Sequence, residues 1–201
     1  MIAAGIPYHS HSCKIETLHT LSLLEPCLAD SESILDIGCG SGYVCAAIQA
    51  TGKEDLCGID IVDTRRARTF PFQLYDGLST GFSNERFDLV LLCFVLHHVP
   101  DQDKTRLLRE AIRVCRKSIF ILEDTPINAI DRLFSKRHGE SYRKTIGSQA
   151  SFGFHTKAKW EQILRGENLE LRESRRLGRF SRAWYQPYAR SVFVGRKPSR
   201  Q

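Results

Sequence analysis

The sequence predicts an α/β fold, a mainly parallel sheet with helices on both faces. Three observations carry that expectation. Short apolar segments alternate with longer amphipathic ones from Lys14 to Leu122. The run Leu89–Phe94 is apolar without alternation, as a strand buried on both faces must be. The turn Gly38-Cys39-Gly40-Ser41-Gly42 joins the first strand to a helix.

Each element has its own signal. Lys14–Glu25 reads as a helix with Leu18, Leu21 and Leu24 along one side and Pro26 closing it. Ser33–Ile37 is the first strand, Tyr43–Ala50 a helix, Leu56–Ile61 the second strand and Phe70–Tyr75 the third. Arg86-Phe87-Asp88 leads into the fourth strand, Leu89–Phe94. The helix Asp103–Cys115 follows, burying Leu108, Ala111, Ile112 and Cys115. Ser118–Leu122 is the fifth strand. Strands and helices alternating at this spacing form right-handed βαβ units. Beyond Glu123 the pattern loosens. A helix is expected over Ile127–Lys136, then a polar stretch Arg137–Ser151, then a helix Thr156–Arg165. Strands near Leu169–Leu177 and Arg190–Gly195 can pair as a hairpin through the aromatic turn Phe180–Tyr188. The 201 residues suit one domain, with residues 1–30 as an N-terminal lid and helix and 125–155 as a substrate-side insertion.

Composition narrows the class. With 42% hydrophobic and 26% charged residues the chain resembles an ordinary globular protein. The longest apolar run, Leu89–Leu96, is eight residues, whereas a membrane span needs roughly twenty, so no membrane span is expected. The N-terminus shows no signal-peptide pattern and neither end a lipidation motif, which points to a cytoplasmic address. The seven cysteines include no C-x-x-C pair and read as free thiols, with no metal site expected. The net charge of +6 conceals a division. Residues 1–103 carry 6 basic and 14 acidic side chains, and residues 104–201 carry 23 and 9. Such asymmetry suits an anionic partner, or else a set of solvated helix faces.

A strand, a glycine-rich turn and a helix form a nucleotide-binding unit, because glycines let the backbone turn tightly and approach a ligand. The dinucleotide pattern needs Gly or Ala at position 43, where Tyr43 stands, and no Gly-Lys-Ser/Thr follows for a Walker loop. Asp36 precedes the loop, and a carboxylate there suits a cationic ligand better than a pyrophosphate.

Ile34-Leu35-Asp36-Ile37-Gly38-Cys39-Gly40-Ser41-Gly42 resembles motif I of the class I S-adenosylmethionine-dependent methyltransferases. Further motifs agree over roughly residues 15–125. Asp60 ends the second strand, where the family places the acid that holds both ribose hydroxyls. Asp76-Gly77 follows the third strand, where an acid accepts from the adenine amino group. Phe87-Asp88-Leu89-Val90 and Val95-Leu96-His97-His98-Val99 resemble the two ends of the fourth-strand motif in the small-molecule, type 11-like branch. The resemblance implies a Rossmann-like, seven-stranded sheet with an antiparallel last strand. It implies S-adenosylmethionine as cofactor, S-adenosylhomocysteine as product, and contacts from Asp36, Gly38, Cys39, Gly40, Asp60, Ile61, Asp76, Gly77 and Cys93. The backbone N–H of Cys39 is expected to face the cofactor. Taken alone, Asp60 is more often a strand-end or helix-cap residue, and Asp76-Gly77 is also a common turn pair.

On the substrate side, His97 and His98 lie past the fourth strand, at the edge where open α/β sheets bind ligands. If the chain is extended there they point to opposite sides, so only one should reach the methyl group and, where the acceptor must lose a proton, serve as general base. The resemblance favours His98. The other reading is a histidine that caps the next helix or packs in the wall. Glu123 is a candidate pocket residue, and Asp124 a candidate helix cap before Pro126. Tyr8, His9 and His11 precede the first helix, where relatives use the N-terminus as a lid, which makes Tyr8 and His11 candidate substrate contacts. Trp184, Tyr185 and Tyr188 either hold an aromatic substrate or fill the last turn.

Arg172, Arg175, Arg176, Arg179 and Arg182 keep a nucleic-acid substrate in view. Against it, Cys93-Phe94-Val95-Leu96 stands where amino-directed nucleic-acid enzymes carry Asn/Asp-Pro-Pro-aromatic. The expected function is methyl transfer to a small molecule, with anionic or carrier-protein-bound substrates suiting the basic half. RNA- or protein-directed transfer, and cofactor binding without catalysis, are the alternatives.

Overall fold

In the computed structural model, residues 6–129, 131–133, 153–178 and 189–197 are described. Helix α1 (His11–Ala29) leads into β1 (Ser33–Ile37), α2 (Tyr43–Gln49), β2 (Asp55–Asp60), β3 (Phe72–Leu74) and β4 (Phe87–Cys93). A 3-10 turn, Leu96–His98, connects β4 to α3 (Asp101–Val114), which runs straight into β5 (Cys115–Asp124). Helix α4 (Lys157–Gly166), β6 (Glu170–Leu177) and β7 (Arg190–Arg196) follow.

The strands form one seven-stranded sheet in the order β3-β2-β1-β4-β5-β7-β6. Strands β1 to β5 pair in parallel, and β7 lies antiparallel to both β5 and β6. Winding reverses between β1 and β4, where Leu35 pairs with Val90, and the carboxyl ends of these two strands open on one edge.

Alternation along the strands divides the core into two layers. Leu35, Ile37, Val90, Leu92, Ile119 and Ile121 face α3 and α4, meeting Leu107, Leu108, Trp160 and Leu164. Ile34, Leu89, Leu91, Phe120 and Leu122 face the other way, against Leu24 and Leu28 of α1 and Cys45 and Ile48 of α2. Both faces are therefore covered, and every residue of β4 from Phe87 to Leu92 is buried.

Helix α1 does not stop at Pro26 but continues through it to Ala29. Proline forfeits one helical hydrogen bond and crowds the preceding turn, at about 3 kcal/mol. Leu24 and Leu28 straddle it and are both buried, contributing about 1.5–3 kcal/mol each, which offsets that loss. The third strand is shorter than expected and begins only at Phe72, after Pro71, which has no N–H to give to the ladder. Asp124 is the last residue of β5 and not a helix cap. The cap there is Asn128, whose Oδ1 accepts from the Asp131 N–H at 2.9 Å. The expected helix Ile127–Lys136 lies partly outside the described residues, and the stretch 137–151 wholly so, as do Arg179, Arg182, Trp184, Tyr185 and Tyr188. All seven cysteines are unpaired thiols. Among the described residues no helix is long and apolar enough to cross a membrane.

Candidate active site

The carboxyl ends of β1, β2 and β4 converge on the glycine turn. Gly38, Gly40 and Gly42 all have positive φ, at 75°, 51° and 78°. Gly42 also faces a steric limit, because a Cβ there would meet the Ala67 carbonyl oxygen at 2.5 Å. Gly40 is different: nothing lies within 4 Å of where its Cβ would stand. The turn is tied to β2 by its backbone, since Gly38 N–H and Cys39 N–H both donate to Ile59 O, at 2.8 and 3.1 Å. The Cys39 N–H is thus committed to the sheet instead of facing a ligand, and its side chain is buried.

Asp36 ends up 2% exposed, on a β1 buried along its whole length. Its Oδ2 accepts from the Cys45 thiol at 3.1 Å, while Oδ1 has no hydrogen-bond partner. Burial pushes this carboxyl up to about 7, the Cys45 hydrogen bond opposing and the Asp60 charge adding to the rise. Asp60 caps the turn from β2. Its Oδ2 accepts from Gly40 N–H at 2.8 Å and its Oδ1 from Ile61 N–H at 2.7 Å. Burial raises its pKa, and those N–H bonds partly counter the rise.

Beside Asp60, Ile61 is 55% exposed, an apolar side chain left open next to Gly77, whose Cβ would come 3.3 Å from Ile61 Cγ2. Asp76 shapes that second loop, its Oδ1 accepting from Leu78 N–H at 2.8 Å and Ser79 N–H at 2.6 Å. These bonds hold its carboxyl below the usual range. Cys93 closes β4, half-buried, with its thiol pKa raised by burial.

His97 and His98 do not sit on extended chain. His98 N–H donates to Val95 O at 2.9 Å, closing a 3-10 turn that brings the two rings to 4.1 Å between centroids instead of to opposite sides. His97 is 1% exposed, and its Nδ1–H donates to Glu123 Oε2 at 2.6 Å. Its Nε2 has no hydrogen-bond partner among the described residues. Burial disfavours the imidazolium, but the Glu123 charge and hydrogen bond, with Asp124, outweigh that and raise the His97 pKa. Glu123 itself is fully buried, its Oε1 accepting from Leu96 N–H at 2.7 Å. This carboxylate is engaged inside the protein and not open to a pocket.

The N-terminal segment lies over the start of α2. The Tyr8 ring lies tilted against Tyr43 with centroids 5.0 Å apart, and His9 N–H donates to the Tyr43 hydroxyl at 2.9 Å. The Tyr8 hydroxyl is buried with no hydrogen-bond partner among the described residues, and burial raises its pKa. His11, the first residue of α1, is exposed.

Three groups at this edge escaped the sequence reading. Arg190 of β7 donates to Asp124 Oδ1 at 3.0 Å and lies 4.4 Å from the Phe94 ring centroid. Phe154 stacks on His97 at 4.9 Å. Lys104, 2% exposed, donates to Gly153 O and Asp101 Oδ1. The only available signal was the adjacent pair Glu123-Asp124, two acids at a strand end that needed partners once buried.

Residues 11–174 match the model of a protein family described as a methyltransferase domain. The chain belongs to the S-adenosylmethionine-dependent methyltransferases. Its activity is methyl transfer and its cofactor S-adenosylmethionine. Solved methyltransferases share the fold. A SAM-dependent methyltransferase of Thermotoga maritima is 17% identical with a TM-score of 0.70, the match covering 93% of this chain and 92% of that one. A Haloferax volcanii protein solved in complex with the Trm112 methyltransferase activator gives 15%, 0.69, 94% and 95%. Magnesium protoporphyrin IX methyltransferase of Synechocystis PCC 6803, solved with bound S-adenosylhomocysteine, gives 15%, 0.64, 94% and 84%. No curated protein matches the chain.

The edge fits that cofactor on its own terms. A buried carboxylate with one unpartnered oxygen suits an ammonium. A second carboxylate at the end of β2 suits vicinal hydroxyls, and the open space at Gly40 and the exposed Ile61 suit a flat apolar base.

Proposed function

We propose that this methyltransferase methylates a small molecule. The observation that supports it most is the packing of residues 6–13 onto Tyr43 at the start of α2, which lays a cover beside the glycine turn. A covered edge suits a ligand that can be enclosed. The described arginines of the basic cluster add to this. Arg172 pairs with Glu170 at 2.8 Å and Arg175 with Glu173 at 2.9 Å along β6, so carboxylates are interspersed with these arginines and lower the local positive charge a phosphate backbone would meet. The charge division between the two halves makes anionic and carrier-protein-bound molecules the first acceptors to try. Seven unpaired cysteines suit a reducing, cytoplasmic setting.

In this reading Asp36 holds the cofactor's ammonium, Asp60 its ribose hydroxyls, and Asp76, Ile61 and Gly77 its adenine. Gly38, Gly40 and Cys93 shape the floor. S-adenosylmethionine, when bound, supplies a sulfonium methyl whose thioether leaving group needs no protonation. The protein's work is then positioning, exclusion of water and, for a hydroxyl or acidic-carbon acceptor, removal of one proton. His98 takes that proton. His97, fixed by Glu123, sets the turn on which His98 stands. Tyr8 and His11 belong to the lid, together with residues from 125 to 155.

The test is transfer of labelled methyl from S-adenosylmethionine to separated metabolites, tRNA and protein. Label in the low-mass fraction alone is expected. Label in tRNA, with binding that falls steeply as salt rises, would instead assign an RNA substrate. S-adenosylhomocysteine binding with no label in any fraction would assign a binding protein. Because the Haloferax neighbour was solved with an activator protein, the assay should also be run with candidate partners added.

A further inference from the structure

The Asp36 carboxylate is buried with one oxygen lacking a hydrogen-bond partner among the described residues. It is 2% exposed, and among the described residues the titratable groups that face it are all acids: Asp60 from β2, Cys45 from α2 and Cys93 from β4. No cation among the described residues reaches it. Of the three, only Cys45 donates to it, from a fully buried thiol to Oδ2 at 3.1 Å. A carboxylate held at one oxygen by a single donor has a fixed plane, and its second oxygen is then presented in one direction. That second oxygen, Oδ1, is the one without a partner.

The placement of the thiol follows from the fold. Gly42, at φ 78°, turns the chain so that α2 begins directly after the glycine turn. Cys45, in the first turn of α2, belongs to the layer packed against β1 and β4. A thiol is a weak donor, and it costs less to bury than a hydroxyl or an amide. It can therefore sit in this apolar layer and still orient a carboxylate.

Resting on the assignment of Asp36 to the cofactor's ammonium, we infer that Cys45 is a positioning residue for cofactor binding, its thiol fixing the Asp36 carboxylate through Oδ2 so that Oδ1 is kept for the cation. Removing the donor loosens the carboxylate and makes its ionised form harder to reach. Cofactor binding then weakens, and the pH above which it is strong moves upward, because a hydrogen bond to the charged form lowers an acid's pKa. A purely structural Cys45 would alter the melting temperature and leave that pH dependence where it was.

The experiment is calorimetric titration with S-adenosylhomocysteine, which carries the same ammonium, between pH 5.5 and 8.5. Wild type is compared with Cys45→Ala and Cys45→Val, which lack the donor, and Cys45→Ser, which keeps one. The two variants without a donor bracket the volume, so one of them serves if the other does not fold by circular dichroism. Wild type should bind more tightly as Asp36 ionises through about pH 7. The variants without a donor should bind about tenfold more weakly at pH 7. Their rise in affinity should shift to higher pH, and Cys45→Ser should stay within about threefold of wild type. Unchanged affinity and pH profile in the variants without a donor, or a Ser variant no better than Ala, overturns the role of Cys45 alone. Failure of wild type to bind S-adenosylhomocysteine at any pH overturns the cofactor assignment of Asp36 and this inference with it.

Discussion

Glu123 Oε2 stands 2.6 Å from His97 Nδ1, and both side chains are shut off from solvent, at 0% and 2% exposure. The pair ties β5 to the turn that follows β4, and the other Glu123 oxygen holds the Leu96 N–H of that turn. Because the His97 pKa is raised above its unfolded value, its protonation stabilises the fold. That contribution is complete below about pH 6.5 and fades as pH rises through the raised value. In Glu123→Gln burial acts on His97 without the opposing charge, and the sign reverses. The stability gap between wild type and this variant should therefore widen as pH falls from 9 to 6, which urea denaturation at the two pH values will show. A gap independent of pH would mean that the pair is not titrating.

The two histidines should separate by readout. Replacing His98 by Ala should lower turnover about 10²–10⁴-fold on a hydroxyl or acidic-carbon acceptor, with cofactor affinity nearly unchanged. Replacing His97 by Ala leaves Glu123 buried without its partner and should cost about 3 kcal/mol of stability. Turnover and chemical denaturation on both variants decide this, and equal, small losses of turnover would leave the site with positioning and no base.

Asp36 should be a liability to the free protein. Its carboxyl, raised to about 7, keeps an extra proton in the folded state, so stability falls as pH rises from about 4 to about 7. Asp36→Asn removes that slope. At pH 8 the variant should be about 2–4 kcal/mol more stable than wild type and bind S-adenosylhomocysteine at least tenfold more weakly. At pH 4.5 the stability advantage should largely vanish. A variant less stable at both pH values would show that the buried charge is compensated in some other way.

Much of this was legible because the signals are local. The uninterrupted apolar run Leu89–Cys93 could only be a central strand, and the spacing of Gly38, Gly40 and Gly42 between Ile37 and Tyr43 could only be a tight turn into a helix. Long-range pairings were not legible. Nothing near Arg190 in the sequence says that it will lie opposite Asp124, because that register is set by β5 and β7 pairing antiparallel across 66 positions. The direction of His97 depends on a 3-10 turn closed by Val95 and Leu96 carbonyls, which a period-two reading cannot foresee. Pro26 misled for a similar reason, since the burial that carries the helix past it comes from tertiary packing.

The glycines of the turn should differ in kind. Gly42→Ala combines left-handed backbone with a carbonyl 2.5 Å from the new Cβ, and should cost about 2–3 kcal/mol of stability. Gly40→Ala, with open space at its Cβ, should cost about 1 kcal/mol and show its main effect in cofactor affinity. Thermal melts with and without S-adenosylhomocysteine distinguish the two. Equal destabilisation with equal ligand response would contradict the open space at Gly40.

The most direct measurement is calorimetric titration of S-adenosylhomocysteine into wild type and Asp60→Ala at pH 8. Asp60 is the carboxylate that joins β2 to the glycine turn through Gly40 N–H, and in the bound state it is expected to hold both ribose hydroxyls. One site per chain should appear in wild type, and the variant should lose about 1–3 kcal/mol of binding free energy as charge-assisted hydrogen bonds disappear. Binding in Asp60→Ala that matches wild type would place the cofactor somewhere other than this edge.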